Sequence, residues 1–385
     1  MTNEKYYKRI IKTTKTNSFF LFGPRGTGKT SWLKKNFKDI LYFDLLDFAT
    51  YHKLLVNPKS LSELIPNNFN NWVAIDEIQR IPELLNEVHR LIENKGYKFI
   101  LTGSNARKLR KKGTNLLAGR AYNYEMHPLT VEELGEDFSL KKSLQVGHLP
   151  KAYTTDEPKE FLSAYIGRYL KEEIAEEGIV RNLGDFYRFL EVASFSQGEV
   201  LNFAEIAREA ELKRDTVVSY FNILDDLLIA TRLPVFNKRS KRILLKRNKF
   251  YFFDVGVFRE IRPTGPLDSE SELDGPALET LVLQELRAVN QYKKLDYKIH
   301  YWRTKTGLEV DFVLYGKNGF IAIEVKRKKN PSKKDLRGLR AFKKDYPEAK
   351  CYMFCNTQHT EYHDDITVIP ITEAIKNISK LLMVS

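Results

Sequence analysis

From residue 19 to about residue 130, short apolar runs of strand-forming residues alternate with amphipathic segments. "FFLF", "ILYFDL", "WVAID", "KFILTG" and "AYNYEM" are separated by stretches such as "PELLNEVHRLIENKG", whose apolar residues recur at three- and four-residue spacing. This alternation predicts an α/β unit with a mostly parallel sheet. Pro82 suits the first helical position of that last stretch, and Gly96 suits its C-terminal stop. From about residue 157 to 228 the pattern turns helical, in "PKEFLSAYIGRYLKEEIAEEG", "LGDFYRFLEVASFSQG", "NFAEIAREA" and "RDTVVSYFNILDDLLI". Beyond residue 249 the α/β alternation returns. "KFYFFDVGV", "YKIHYWRT", "LEVDFVLY", "FIAIEVKR" and "KCYMFCN" read as strands, with helices around 277–291 and 333–344. No internal repeat or low-complexity segment interrupts the pattern. It divides into three domains: 1–150, 151–245 and 246–385.

Length supports this division, because 385 residues exceed one ordinary core. Hydrophobic residues at 42% and aromatics at 12% are enough to fill several cores. No stretch approaches the ~20 apolar residues that a membrane span needs, and the charged N-terminus lacks an apolar leader. A cytoplasmic protein that does not enter membranes is expected. Only two cysteines occur, Cys351 and Cys355, which excludes a disulfide framework and a Cys-rich zinc site. They read as packing. Sixty-three Lys and Arg against fifty Asp and Glu leave a net charge of +13. The excess is concentrated in "ARKLRKK" (106–112), "NKRSKRILLKRNK" (237–249) and "KRKKNPSKKDLRGLR" (326–340). A polyanion partner fits this excess, as does a solvated basic surface.

The N-terminal unit carries the most specific chemistry. "GPRGTGKT" fits G-x-x-x-x-G-K-[ST] with an apolar strand before it and a helix after it. Gly23, Pro24, Arg25, Gly26, Thr27 and Gly28 would wrap backbone N–H groups around the β-phosphate of ATP at a helix N-terminus. Lys29 would neutralise the β- and γ-oxygens, Thr30 would open the helix and hold Mg²⁺, and Ser31 would join the nucleotide-binding set. Hydrolysis needs acids on a second strand end, and "NWVAIDEIQRIP" supplies Asp76 to reach Mg²⁺ through water and Glu77 to polarise the attacking water. Ser104, or else Asn105, ends the next strand where a side chain could orient that water. Turn formation is the plainer use of either residue.

"NFAEIAREAELKRDTVVSYFNILDDLLIATRLPVF" reads as helix, turn, helix and strand pair, a winged helix. Asn202 suits the N-cap of the first helix. Ala204, Ile206, Ala207, Val217, Val218, Phe221, Leu224 and Leu228 would form its core, while Lys213, Arg214, Thr216, Ser219 and Tyr220 would face a groove. "FNKRSKRILLKR" would be a basic wing. DNA contact and a lid or protein-contact role are both open.

In "GLEVDFVLYGKNGFIAIEVKRK", Asp311 lies on one strand of a hairpin and Glu324 on the next. Period-two geometry puts Lys326 on the face of Glu324, and Glu309 on that of Asp311. The preceding helix offers Glu279, and Glu285 less directly. This layout resembles the PD-(D/E)XK nuclease superfamily, although Val310 stands where its Pro commonly precedes the Asp. The resemblance implies Asp311, Glu324 and Glu279 as ligands of Mg²⁺ or Mn²⁺, with Lys326 positioning or activating water. A solvated hairpin or a degenerate nuclease fold is the alternative.

Together with "GPRGTGKT", "AIDEIQRIPELL", "ILTGSNARKL", "LAGRA", "MHPLTVEEL", "GHLPKAY", "NKFYFFDVGV" and "ALETLVLQEL", these stretches resemble a large family of bacterial and archaeal ATP-binding proteins over nearly the whole chain. In that family an AAA-type ATPase joins a winged helix and a restriction-endonuclease-like fold. The AAA resemblance implies that Arg120 reaches a neighbouring subunit's nucleotide as an arginine finger, which makes the protein a homo-oligomer. A surface Arg, or a phosphate contact within one subunit, is the other reading. The expected function is an ATP-hydrolysing protein acting on DNA. The alternative is a nucleotide-dependent switch or assembly platform whose nuclease fold is inactive.

Overall fold

The computed structural model describes residues 5–104, 109, 117–170, 174, 182–238, 247–266 and 268–383. Asn105, most of the basic run at 106–112 and the wing residues 239–246 lie outside them. The chain separates into two compact units.

Arg9–His127 and Asp226–Ile229 make up one unit. Its strands are β1 (Ser18–Phe22), β2 (Leu41–Asp44), β3 (Trp72–Asp76), β4 (Lys98–Gly103) and β5 (Ala121–Glu125), in the order β2-β3-β4-β1-β5. All four pairings are parallel. β1 and β3 are buried along their whole length, which is why they read as continuous apolar runs and not as alternating ones. Phe20, Val73, Ile75, Val88, Phe99 and Leu101 lie in the core between sheet and helices. The helix expected to open at Pro82 spans Leu84–Lys95, because the chain first makes a tight turn in which the Leu85 N–H donates to Pro82 O at 3.1 Å. Gly96 closes it in the left-handed conformation (φ 66°).

The second unit takes the rest of the chain. Helices Leu183–Ser194, Phe203–Glu209 and Arg214–Asp226 lead into an antiparallel pair, β6 (Ala230–Leu233) and β7 (Lys249–Phe252). A six-stranded mixed sheet follows: β8 (Lys298–Arg303), β9 (Glu309–Gly316), β10 (Gly319–Lys326), β11 (Lys350–Cys355), β12 (Glu361–His363) and β13 (Ile366–Pro370). The order is β12-β13-β11-β10-β9-β8, parallel at β10/β11 and β11/β13 and antiparallel elsewhere. The helices Glu270–Tyr292 and Arg337–Asp345 match the two read from periodicity, the first extending further at its N-terminal end. "VGV" after β7 belongs not to a strand but to the helix Val255–Ile261, started by Asp254, whose carboxylate accepts the Gly256 and Val257 N–H groups.

Tyr220 corrects an expectation. It is buried against Phe186 and Phe189, because it stands three residues after Val217 on the same stripe as Phe221 and Leu224. Ala204 is exposed, and Leu228 packs in the core of the other unit. Asn202 stands at the N-cap of its helix as expected, but its side chain makes no capping hydrogen bond; its amide donates to Glu205 at 3.0 Å. Both cysteines are buried, and burial pushes both thiols up, Cys351 to about 12.

Candidate nucleotide site and a second acidic cluster

Three parallel strands end together at the phosphate-loop motif. β1 feeds "GPRGTGKT", and the helix Lys29–Asn36 leaves it. Gly26 and Gly28 hold φ of 82° and 90°, a left-handed geometry that an L side chain resists. A Cβ on Gly23 would collide with the Met126 carbonyl oxygen. The loop is fastened from within. Thr27 Oγ1 donates to Pro24 O at 2.8 Å, and the Lys29 ammonium donates to the carbonyls of Gly23 (2.7 Å) and Pro24 (3.2 Å). Sequence reasoning missed the buried Arg9, whose guanidinium donates to Thr27 O and His127 O, both at 2.6 Å. A lone Arg fourteen residues before the motif carries no local signal.

Asp76 ends β3 beside the loop. It accepts from Thr30 Oγ1 (2.8 Å), from the Tyr42 hydroxyl (2.5 Å) and from Thr102 Oγ1. Burial, and then the hydrogen bond to Asp76, push the Tyr42 phenol well above its ordinary range. Glu77 follows at φ 58°, left-handed for a residue that has a Cβ, and its carboxylate accepts from the Gln79 amide at 2.5 Å. The same amide donates to Ser104 Oγ at 3.1 Å, so Glu77 and Ser104 share one partner. Arg120 stands one residue before β5 and is partly exposed, its guanidinium paired with Glu93. A hydroxyl and a carboxylate already 2.8 Å apart, beside a glycine cradle, form a donor set that fits Mg²⁺ and a nucleotide triphosphate.

The carboxylates of the second unit converge around a lysine that the sequence reading placed in a strand and gave no role. Lys249 Nζ, 2% exposed at its side chain, donates to Glu309 Oε1 (2.7 Å), Asp311 Oδ1 (2.9 Å) and Glu279 Oε2 (3.2 Å). Asp311 Oδ2 accepts the Val325 N–H at 2.9 Å, and Glu324 Oε2 accepts the Asp311 N–H at 3.3 Å. Lys326 pairs with Glu324 at 2.5 Å, Arg303 with Glu309 at 3.1 Å, and the Tyr251 hydroxyl donates to Glu279 at 2.8 Å. The cluster opens into a cavity of about 500 Å³ that Lys334 and Arg337 also line. Burial works against the Lys249 charge, but the fields of Asp311 and Glu279 outweigh it and hold the ammonium protonated. Burial, and then Asp311, push the Glu324 carboxyl well above the carboxylate range.

Glu285 does not belong to this cluster. It is buried elsewhere in the same unit, where it accepts the Val131 N–H at 3.0 Å beside His148. The His148 N–H donates to Asp254 at 2.7 Å, and a Cβ on Gly147 would collide with that carboxylate. "GHLPKAY" and "FFDVGV" therefore meet as one internal knot.

Residues 15–135 match the AAA domain family. Residues 137–268 match a domain of unknown function (DUF8612), and residues 274–374 match another (DUF4143). An uncharacterised protein of Mycobacterium tuberculosis is 26% identical over 325 residues, covering 81% of this chain and 70% of that protein. One from Methanocaldococcus jannaschii is 25% identical over 365 residues, covering 86% and 79%. The structure of the Aeropyrum pernix ORC1 protein in complex with DNA aligns with 64% of this chain and 87% of its own, at 13% identity and a TM-score of 0.26. The parallel sheet and the AAA match together give the first unit a P-loop ATPase fold. Among the described residues no helix is long and apolar enough to cross a membrane.

Proposed function

We propose that the protein binds ATP with Mg²⁺, hydrolyses it, and couples turnover to a hold on nucleic acid by the second unit. The observation that carries the ATP reading is the meeting of Lys29, Thr30, Asp76, Glu77 and Ser104 at the ends of β1, β3 and β4. Thr30 and Asp76 would hold Mg²⁺, which offsets charge on the phosphates. The glycine cradle and Lys29 orient the polyphosphate, Glu77 takes the proton of the attacking water, and Ser104 fixes the Gln79 amide that positions Glu77. Arg120, partly exposed beside β5, would complete the site of a second copy of the chain.

Support for nucleic acid is the +13 net charge and a cavity of about 340 Å³ lined by Asn202, Arg214, Arg232, Arg247 and Asn248, at the starts of both helices of the helix-turn-helix and beside its strand pair. The switch or platform reading is favoured by one feature, the Lys249 ammonium among the carboxylates.

Phosphate release measured with Mg²⁺ and ATP tests the first reading. Lys29→Ala is expected to abolish binding and turnover together. Glu77→Gln should retain ATP binding and lose turnover by about 100-fold or more. Unchanged turnover in both variants would overturn it.

A further inference from the structure

We propose that Lys249 is a built-in counter-cation that fills the place of a divalent metal, so that the acidic cluster of the second unit is a metal-free site. An ammonium has three N–H donors and no acceptor. All three are accounted for by single oxygens of Glu279, Glu309 and Asp311, which come from the long helix and from β9 and face a lysine on β7. Four of the remaining carboxylate oxygens are also engaged. Asp311 Oδ2 is held by the Val325 N–H, both Glu324 oxygens by Lys326 and the Asp311 N–H, and Glu309 Oε2 by Arg303.

A hard divalent cation asks for about six oxygen ligands at 2.0–2.6 Å. A cation seated among the three oxygens that Lys249 holds would require Lys249 to leave, and its side chain is 2% exposed. Displacement would strand a buried charge, the costly half of breaking a buried ion pair. Among the described residues no group of three or more His, Cys, Asp or Glu is arranged to hold a metal. A resident lysine explains that arrangement: it supplies positive charge where acid repulsion would otherwise open the cluster, and no metal chemistry runs there.

Manganese binding without nucleotide is the test, read by the loss of the free Mn²⁺ electron paramagnetic resonance signal on titration of the full chain. Wild type and Asp311→Asn are expected to take up the same amount, any uptake being elsewhere. Lys249→Met, which keeps the stem and removes the charge, should gain one further equivalent at least tenfold tighter than wild type, and Lys249→Met/Asp311→Asn should lose it. An equivalent bound by wild type and lost in Asp311→Asn overturns the proposal, and so does a folded Lys249→Met that gains none. If Lys249→Met does not fold, the wild-type and Asp311→Asn pair still decides, supported by thermal unfolding. Mn²⁺ should leave the wild-type melting temperature where Asp311→Asn has it, and a rise confined to wild type counts against the proposal.

Discussion

Glu279 shows how one side chain answers to its surroundings. Burial, and then the field of Asp311, push its carboxyl up to about 7, against the opposing pull of Lys249. Asp311, Lys249, Tyr251 and Lys326 are the charged and titratable groups acting on it. The fold binds this proton more tightly than the unfolded chain does. Its contribution is therefore complete below the ordinary value of 4.5 and is lost as pH climbs through about 7. Thermal unfolding followed from pH 5 to 8 should show wild-type stability falling through that window, with the fall reduced in Glu279→Gln. A slope unchanged by the substitution would place the titration elsewhere. Lys249 itself was hidden from sequence reading for a simple reason: in "NKFYFF" a lysine at the head of an apolar strand looks like a solvated charge. Only the tertiary approach of β7 to β9 makes it the centre of the cluster.

At the level of elements, the helix Arg214–Asp226 buries Val217, Tyr220, Phe221, Ile223 and Leu224 against Phe186 and Phe189 of a neighbouring helix and Phe250 of β7. Tyr220→Ala should cost about 3 kcal/mol in chemical unfolding, as truncation of a buried aromatic does. A groove-facing Tyr220 would cost almost nothing. The periodicity was visible in the sequence, but which face of the helix found a partner was not. Strand, phosphate loop and helix could be read at the N-terminus because each depends on a few consecutive residues and on glycines with a strict conformational use. β12 could not, since three residues give too little alternation to register. Strand period puts Glu309 on the face of Asp311 and Lys326 on that of Glu324, whereas the pairing of Asp311 with Glu324 is what the nuclease resemblance implies. The diversion of Glu285 to His148 depended on a 154-residue separation between Glu285 and Val131.

For the whole molecule, the charge excess makes a prediction about salt. If Arg214 and Arg247 meet phosphates from the cavity they line, Arg214→Ala/Arg247→Ala should weaken duplex DNA binding and lower the slope of log affinity against log salt by about 1–2. Fluorescence anisotropy at several salt concentrations measures both, and an unchanged slope would move the contact elsewhere.

The partition of the chain bears on how the gene can be cut. The P-loop unit is not one uninterrupted length of polypeptide, for Asp226–Ile229 returns to it after a long excursion, bringing Leu228 to its core. A fragment ending at His127 therefore leaves a seat in that core unfilled. It should melt several degrees below the same unit in the intact chain, and a boundary drawn by sequence order alone would divide what the fold keeps together.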